Sequence, residues 1–359
     1  MKVGTLTFTH TSNYGAILQA YALQTVFLEN GVDCEIIDYF NPTVYKNHNP
    51  RGVWKRPGVK NKVVAPLMYL VYRKRLKKFL AFEKQYCIFS PQRYTRSTVF
   101  KTAERYDRMV VGSDQVWNLK ITDGDMTYFL DYLSDEHQKC SYAASIGSIY
   151  FDDKDKEKCE KLLKHFRNIS MRESQALERM QNQIGKQASC DLDPTLLLTK
   201  DRWETMIKRK PQTKDYILMY LVPEEEALFR SVTAFAREID CEVILIKKGI
   251  KGYRGMKIKN TLSPEEFLNY VYYARYVIAG SFHGVCFSVL FQKNFYATSS
   301  IEKKLSGRVI SLLENLGLEQ RFVGDDYHFK DENIAYETVC KRLDKLRNQS
   351  RNTIKRICE

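Results

Sequence analysis

Short apolar runs alternate with amphipathic stretches along most of this chain, and the alternation narrows the folds that it can adopt. The first run covers residues 3–8, and a helical pattern follows over residues 14–30. That pattern stops at Gly31, a residue typical of helix C-termini. A further apolar run covers residues 34–38. A strand, a helix and a strand in this order predict a parallel βαβ unit.

The alternation forms two series that divide near residue 200. The first series continues with predicted strands at 108–111, 140–144, 168–171 and 187–191 and helices at 153–165 and 173–183. The second series has predicted strands at 216–222, 242–246, 276–279 and 294–297 and helices at 224–239, 263–273 and 283–291. We therefore expect an α/β protein with two Rossmann-like domains facing each other across a cleft. The predicted domains cover residues 1–199 and 200–330, and a basic helical tail covers 331–359.

Positive charge is concentrated in two segments. The formal net charge is +14, yet residues 51–84 hold 11 Lys/Arg and one acid, and residues 341–356 hold seven Lys/Arg and one acid. The rest of the chain is close to neutral. The two segments predict either a surface that meets anions or two solvated basic faces. Nucleic acid is not an expected partner, because no known nucleic-acid-binding motif accompanies the charge.

The first basic segment belongs to an insertion at about residues 43–94. Aromatic residues are interleaved with its cations: Trp54, Tyr69, Tyr72, Phe79 and Phe82. This mixture is typical of a segment that lies on an anionic membrane surface. A core helix with a basic outer face would show the same composition, and the sequence leaves both interpretations open.

Several classes of protein are excluded or disfavoured. Hydrophobic residues at 44% and charged residues at 28% exclude wholesale disorder and a polytopic membrane protein. Nine scattered cysteines without CxxC or zinc-type spacing predict free thiols in a reducing compartment and no metal site. The N-terminal residues lack the apolar stretch of a signal peptide, so we expect a cytoplasmic protein or a peripheral membrane protein. Walker A, GxGxxG, HExxH and GxSxG motifs are not present, which disfavours the enzyme classes that use them.

Small and polar residues follow the predicted strands, where doubly wound sheets bind ligands. The candidate site residues are Asn13, Tyr14, Gly15, Ser113, Asp114, Gln115, Arg172, Ser281, His283 and Gly284. His283 would sit at a helix N-terminus with Ser281 as the N-cap, which suits a general acid or base beside an anion, or a simple cap. Arg172 and Arg308 are candidates for binding phosphate or carboxylate. Taken alone, the position of Arg172 rather favours a pairing with Glu173 or with another nearby acid. Asp114 could bind sugar hydroxyls or cap a helix.

The strand-end segments resemble the polysaccharide pyruvyl transferase family. The resemblance rests on NYGAILQAYAL at 13–23, VVGSDQVWN at 110–118, SYAASIG at 141–147, RES at 172–174, DPTLLL at 193–198, SFHG at 281–284, SGR at 306–308 and LLENLGL at 312–318. Together these motifs cover roughly residues 1–324, and their order is fairly specific.

The resemblance implies a fold similar to the GT-B glycosyltransferases and transfer of pyruvyl from phosphoenolpyruvate to two sugar hydroxyls, which gives a cyclic ketal. It implies that the donor lies in the C-terminal domain and that His283 is the acid/base. It also implies that phosphoenolpyruvate is a donor substrate and that no cofactor is needed. Some branches carry Arg at the position of Ser281, so donor binding here would rely on Arg172 and Arg308, beside Ser281, His283 and Gly284. Arg172 and His283 are the catalytic residues that the resemblance predicts.

The resemblance also implies an acceptor side in the N-terminal domain. Its predicted residues are Asn13, Tyr14, Gly15, Ser113, Asp114 and Gln115. The acceptor in this family is often a cell-envelope, capsular or exopolysaccharide precursor, and it is often carried on a polyprenyl diphosphate. Two alternatives stay open at this point: a GT-B-type glycosyltransferase that uses a nucleotide sugar, and a non-catalytic binding module of glycan biosynthesis.

Overall fold

The computed structural model describes residues 1–55, 59–147, 150–208, 210–299, 307–324 and 327–359, without the side chains of 59–61. Ser306 of the SGR motif lies outside these residues. The chain splits into two compact units. The first consists of Met1–Asn49, Phe79–Leu198 and Lys345–Glu359, and the second consists of Pro50–Lys78 and Thr199–Asp344.

The first unit is built on parallel strands. Their bounds are β1 Lys2–Leu6, β2 Asp33–Ile36, β3 Arg108–Val111, β4 Lys139–Ser141, β5 Ile169–Met171 and β6 Ala188–Cys190. Four of them form a sheet of order β2-β1-β3-β4, and β5 pairs with β6. Isolated bridges from Cys140 to Asn168 and from Ala144 to Met171 continue the parallel pairing from β4 to β5.

Helices accompany these strands, and all of the strands except β6 are mostly buried, as is typical of parallel sheets. The helices that begin in this unit are α1 Tyr14–Glu29, α2 Pro42–His48, α4 Leu119–Thr122, α5 Asp153–Leu163, α6 Ser174–Ile184 and α7 Pro194–Leu197, and α3 Val59–Tyr86 ends in it. Short 3₁₀ helices lie at Val99–Thr102, Met126–Phe129 and Glu136–Gln138. The core includes the stacked rings of Trp117 and Phe129, whose centroids are 5.8 Å apart.

The second unit repeats the architecture. Its strands are β7 Tyr216–Tyr220, β8 Glu242–Ile246, β9 Met256–Lys259, β10 Tyr276–Ala279 and β11 Asn294–Ala297. They form one parallel sheet of order β11-β10-β7-β8-β9. Its helices are α8 Lys200–Glu204, α9 Glu226–Glu238, α10 Pro264–Tyr272, α11 Phe282–Leu290, α12 Gly307–Leu316 and the start of α13 Tyr336–Cys358, with 3₁₀ helices at Pro50–Lys55 and Glu319–Arg321.

Each sheet has one point where the strand order reverses. In the first unit β1 is followed by β2 on one side, and the chain then returns to β3 on the other side. In the second unit β7, β8 and β9 extend one way, and β10 is then placed beside β7 on the opposite side. Ligands of doubly wound sheets bind at the carboxyl ends of the strands at such switch points. The β1/β3 edge and the β7/β10 edge are therefore the expected ligand-binding edges of the two sheets.

The predicted α/β class with parallel sheets is confirmed, and most predicted strands lie within two or three residues of their observed bounds. Strand β9 was not predicted, because MKIK is a half-exposed edge strand that alternates Lys with apolar residues and forms no continuous apolar run. The nine cysteines are all free, as predicted. Within the described residues, no helix is long and apolar enough to cross a membrane.

The two units differ from the predicted domains in two segments. The predicted division at residue 199/200 is one residue from the observed change of unit at Leu198 and Thr199. Residues Pro50–Lys78, predicted as part of an insertion in the first domain, belong instead to the second unit. Residues Lys345–Glu359, predicted as a separate tail, belong to the first unit, where Ser350 accepts a hydrogen bond from the backbone of Leu192. The contacts that place these two segments join residues far apart in the sequence, so the periodicity of apolar residues along the chain does not reveal them.

Candidate functional site

A buried carboxylate ties together the strand ends of the first unit. Asp193 follows β6 and precedes α7, and one of its oxygens caps that helix by accepting from Thr195 N at 3.0 Å. The other oxygen accepts from Ser113 Oγ at 2.8 Å and from Arg172 Nη1 at 2.6 Å. Ser113 follows β3 and Arg172 follows β5, so one carboxylate holds three strand ends in register.

Arg172 is the cation of this cluster. Its side chain is 1% exposed, and that of Asp193 is fully buried. Burial by itself would lower the pKa of Arg172, but the carboxylates of Asp193, Asp114 and Glu173 outweigh it and raise the pKa. The predicted pairing with a nearby acid is therefore present, and the acid is Asp193. The predicted role of Arg172 in donor binding stays a prediction.

The switch point between β1 and β3 is lined by polar groups that are hydrogen-bonded to one another. Gln19 of α1 donates to Thr7 Oγ1 at 2.8 Å, and Thr7 donates to the carbonyl of Ser113 at 2.9 Å. Asp114, the next residue, has φ of 77° and lies 3.7 Å from Arg172. A left-handed conformation is uncommon outside glycine and is concentrated at functional sites. The predicted residues Ser113, Asp114 and Arg172 are thus brought together at this edge.

Gln115 completes the same edge. Its side-chain oxygen accepts from Asn118 Nδ2 at 2.8 Å. Gly147, in the loop after β4, has φ of 74°, and a Cβ there would meet the Gln115 carboxamide at 2.0 Å. Glu173 accepts from Ser145 Oγ and from Gly147 N in the same loop. The loops after β3, β4 and β5 therefore form one polar surface rich in hydrogen-bond acceptors.

The predicted acceptor residues at the start of α1 have structural roles. Asn13 is the N-cap of the helix and accepts from Gly15 N at 3.0 Å. Tyr14 is fully buried, with its ring 4.9 Å from that of Phe79. Gly15 is buried in the first turn. The predicted contact of these three residues with an acceptor stays a prediction.

One charged cluster at this edge was not predicted as part of the site. His10 follows β1 with φ of 55°, and its ring nitrogens lie 2.8 Å from Glu83 and 2.9 Å from Asp38. Burial would lower the pKa of His10, but the hydrogen bonds to Asp38 and Glu83 raise it to about 9. The imidazole is therefore a cation at neutral pH. Its position in the loop after the first strand was the available signal, but its two partners are distant in sequence.

The second unit places the predicted histidine at the β7/β10 switch point. Ser281 is the N-cap of α11 and accepts from Gly284 N at 3.0 Å, and His283 is buried in the first turn. The preceding Gly280 is required by close packing, since a Cβ there would lie 2.2 Å from the carbonyl oxygen of Leu221. Leu221 directly follows β7 and has φ of 49°. Two strand ends thus approach closely beside His283.

Arg308 joins this group from α12. Its guanidinium lies 5.8 Å from the ring centroid of Phe282, the residue before His283. Cations at this distance from an aromatic ring are attracted by its negative face. The structure therefore brings four predicted donor residues into one region of the second unit: Ser281, His283, Gly284 and Arg308.

A cavity of about 780 Å³ opens at the ends of β7 and β8 in the same unit. Its walls are mainly apolar, with Val222, Phe229 and Ile246 among them. Lys247, Lys248 and Lys251 also line it, while His283 and Arg308 are outside its lining. Across the described residues, no group of His, Cys, Asp or Glu is arranged to hold a metal ion.

Breaking the Arg172–Asp193 pair should destabilise the first unit. Arg172→Met leaves a buried carboxylate without its cation, which typically costs about 3–5 kcal/mol. We expect that loss in the free energy of unfolding measured with urea. Adding Asp193→Asn, which keeps the helix cap but removes the charge, should recover part of it. A loss below about 1 kcal/mol, typical of an exposed pair, would show that the pair is solvated.

The His10 cluster should make stability depend on pH. Because the folded pKa is raised above the ordinary value of 6.5 to about 9, the stabilisation is complete below 6.5 and is lost as pH rises through 9. The expected loss is on the order of 3 kcal/mol. His10→Asn, which tolerates the left-handed backbone, should remove this dependence. Urea unfolding of both proteins across this pH range measures the difference, and parallel curves would contradict the assignment.

The fold has relatives among solved structures. UDP-GlcNAc 2-epimerase from Methanocaldococcus jannaschii matches with a TM-score of 0.50 and 11% identity, over 97% of this chain and 93% of that chain. UDP-GlcNAc 2-epimerase from Neisseria meningitidis matches with a TM-score of 0.50 and 8% identity, over 99% of this chain and 94% of that chain. At these identities the likeness shows the fold alone, which is of the GT-B type.

The sequence itself gives the family. No relative was found among curated protein sequences. A family model described as polysaccharide pyruvyl transferase matches residues 13–300, which include both strand-end clusters and exclude only Arg308 among the candidate site residues. The chain therefore belongs to the polysaccharide pyruvyl transferase family.

Proposed function

We propose that this protein transfers a pyruvyl group from phosphoenolpyruvate to two hydroxyls of a sugar in a cell-envelope, capsular or exopolysaccharide precursor, and so forms a cyclic ketal. The observation that carries the proposal is the environment of His283. An imidazole lies in the first turn of α11, and the guanidinium of Arg308 lies 5.8 Å from the ring of the preceding residue, Phe282, so this region combines a proton carrier with a cation. The family membership adds the substrate class.

The donor chemistry matches that environment. Phosphoenolpyruvate carries a phosphate and a carboxylate, and both anionic groups bind well to helix N-termini and to arginines. In the reaction the methylene carbon of the donor gains a proton and becomes methyl, two hydroxyl oxygens bond to C2, and the C2–O bond to phosphate breaks. The two hydroxyl protons are accounted for by the new methyl group and by the released phosphate. His283 is proposed to carry protons between hydroxyl and donor.

The first unit suits the acceptor better than the donor. Around Arg172 the carboxylates of Asp193 and Asp114 already exceed its single positive charge, and Glu173 follows in the chain. A trianionic donor would be repelled there, whereas sugar hydroxyls can donate to carboxylate and carboxamide oxygens. We therefore propose that Asp114 and Gln115 bind acceptor hydroxyls, and that Arg172 acts as a positioning residue for this edge.

The cavity in the second unit favours a second candidate function. Its volume of about 780 Å³ is large for phosphoenolpyruvate, and its apolar walls suit the base of a nucleotide. Of its three lysines, Lys247 is paired with Glu224, which also lines the cavity, so Lys248 and Lys251 are the residues that suit a diphosphate. A glycosyltransferase that uses a nucleotide sugar is the function this observation would favour. Binding of a nucleotide sugar, without binding of phosphoenolpyruvate, would support it.

His283→Ala should slow the ketal-forming reaction by about 10²–10⁴-fold in kcat, because it removes the proposed proton carrier. The measurement is acceptor-dependent release of phosphate from phosphoenolpyruvate by the purified full-length chain. His328→Ala is the matched control, since His328 is an exposed histidine of the same unit and should retain full activity. An unchanged rate in His283→Ala would contradict the proposed role.

A further inference from the structure

We propose that Trp54 and the outer face of helix α3 form a binding surface for an anionic lipid bilayer. The surface consists of Trp54, Val63, Leu67, Leu70, Arg73, Lys74 and Lys77, and we call it the α3 outer face. All seven residues belong to the second unit. The proposal does not depend on which reaction the protein catalyses.

The inner face of α3 is already occupied by its own unit. Ala65 and Met68 are buried in a small apolar cluster with Val53, against which Ile250 packs. Further along, Lys78 forms a 2.6 Å ion pair with Glu266. One side of the helix therefore packs against the second unit, and the α3 outer face is the side that this packing leaves exposed.

The first half of the α3 outer face is apolar. Val63, Leu67 and Leu70 are 74%, 55% and 58% exposed, and Trp54, in the preceding 3₁₀ helix, is 53% exposed. Residues spaced four and three apart lie on one side of a helix, so these three side chains form a continuous stripe. The centroid of the Trp54 ring lies 6.3 Å from that of Tyr69, which belongs to α3. Exposed large apolar residues gathered in this way mark an interaction surface.

The second half of the same stripe is basic. Lys74 and Lys77 continue the spacing of four and three, and Arg73 lies beside them, all three exposed. Among the described residues no ion pair neutralises them. The only acid in residues 51–84 is Glu83, which is buried and bound to His10. The outer face therefore presents uncompensated positive charge next to apolar side chains.

This combination is complementary to the surface of an anionic bilayer. Apolar side chains and a tryptophan enter the boundary between headgroups and acyl chains, while lysines and arginines stay with the anionic headgroups. A second copy of the chain fits less well. Packed parallel, the two stripes would set basic residues against basic residues, and packed antiparallel they would set apolar residues against cations.

The test measures co-sedimentation of the full-length protein with vesicles. We expect binding to vesicles of phosphatidylcholine mixed with phosphatidylglycerol, and much weaker binding to phosphatidylcholine alone. Arg73→Gln, Lys74→Gln and Lys77→Gln together should weaken binding by about a hundredfold, since each basic residue near the surface strengthens it about fivefold. Leu67→Ser with Leu70→Ser should weaken binding as well.

A matched control separates this surface from net charge. Lys154→Gln, Lys158→Gln and Lys161→Gln remove three exposed lysines from helix α5 in the first unit, which carries acids among its lysines and no apolar stripe. This triple variant should bind vesicles like the wild type. An equal loss of binding in both triple variants would overturn the proposal, because non-specific charge would then explain it.

Trp54 offers an independent readout. The other two tryptophans, Trp117 and Trp203, are fully buried, so quenching from a bilayer would report on Trp54. Brominated phosphatidylcholine in anionic vesicles should quench wild-type fluorescence, and this quenching should be lost in Trp54→Phe.

Two results would overturn the proposal. The first is vesicle binding without quenching of Trp54. The second is a wild-type dimer that becomes a monomer in Leu67→Ser with Leu70→Ser, with no binding to vesicles, which would assign the α3 outer face to a second copy of the chain. Circular dichroism confirms in each case that the variant is folded.

Discussion

The buried pair of Arg172 and Asp193 is the interaction on which the geometry of the first unit depends. Asp193 caps α7 with one oxygen and receives Ser113 and Arg172 with the other. Removing either partner would leave an uncompensated charge in a region that excludes water. The pair therefore holds the ends of β3, β5 and β6 in one arrangement, and the polar loops that follow these strands inherit their positions from it.

Much of the fold could be predicted because it is encoded locally. A parallel α/β unit needs apolar runs for two-sided burial and amphipathic helices to cover them, and both patterns are visible over a few residues. The placement of residues 50–78 and 345–359 could not be predicted, since it depends on contacts such as Lys78 with Glu266 and Ser350 with Leu192. Edge strand β9 was not predicted, because its half-exposed sequence MKIK alternates lysine with apolar residues and contains no continuous apolar run.

The candidate site shows the same limit. Ser113, Asp114, Ser281 and His283 were predicted from their position after strands, and each lies at a switch point of its sheet. The two possible roles of Arg172 could not be separated from sequence, because its partner Asp193 is 21 residues away. The charge on His10 likewise depends on Asp38 and Glu83, which the fold brings to it from separate segments. The position of a residue after a strand therefore predicts where the site lies, whereas the partners and the charge of its side chain depend on tertiary contacts.

The central claim is that the second unit, through His283 and Arg308, binds phosphoenolpyruvate. Thermal unfolding of the full-length protein with phosphoenolpyruvate, and separately with uridine and guanosine nucleotide sugars, tests it most directly. A ligand at a hundred times its Kd adds about 2.7 kcal/mol to the free energy of unfolding, which is readily measured. We expect phosphoenolpyruvate to raise the unfolding temperature, and His283→Ala and Arg308→Gln to reduce that rise. A rise with a nucleotide sugar and none with phosphoenolpyruvate would contradict the account and favour a glycosyltransferase.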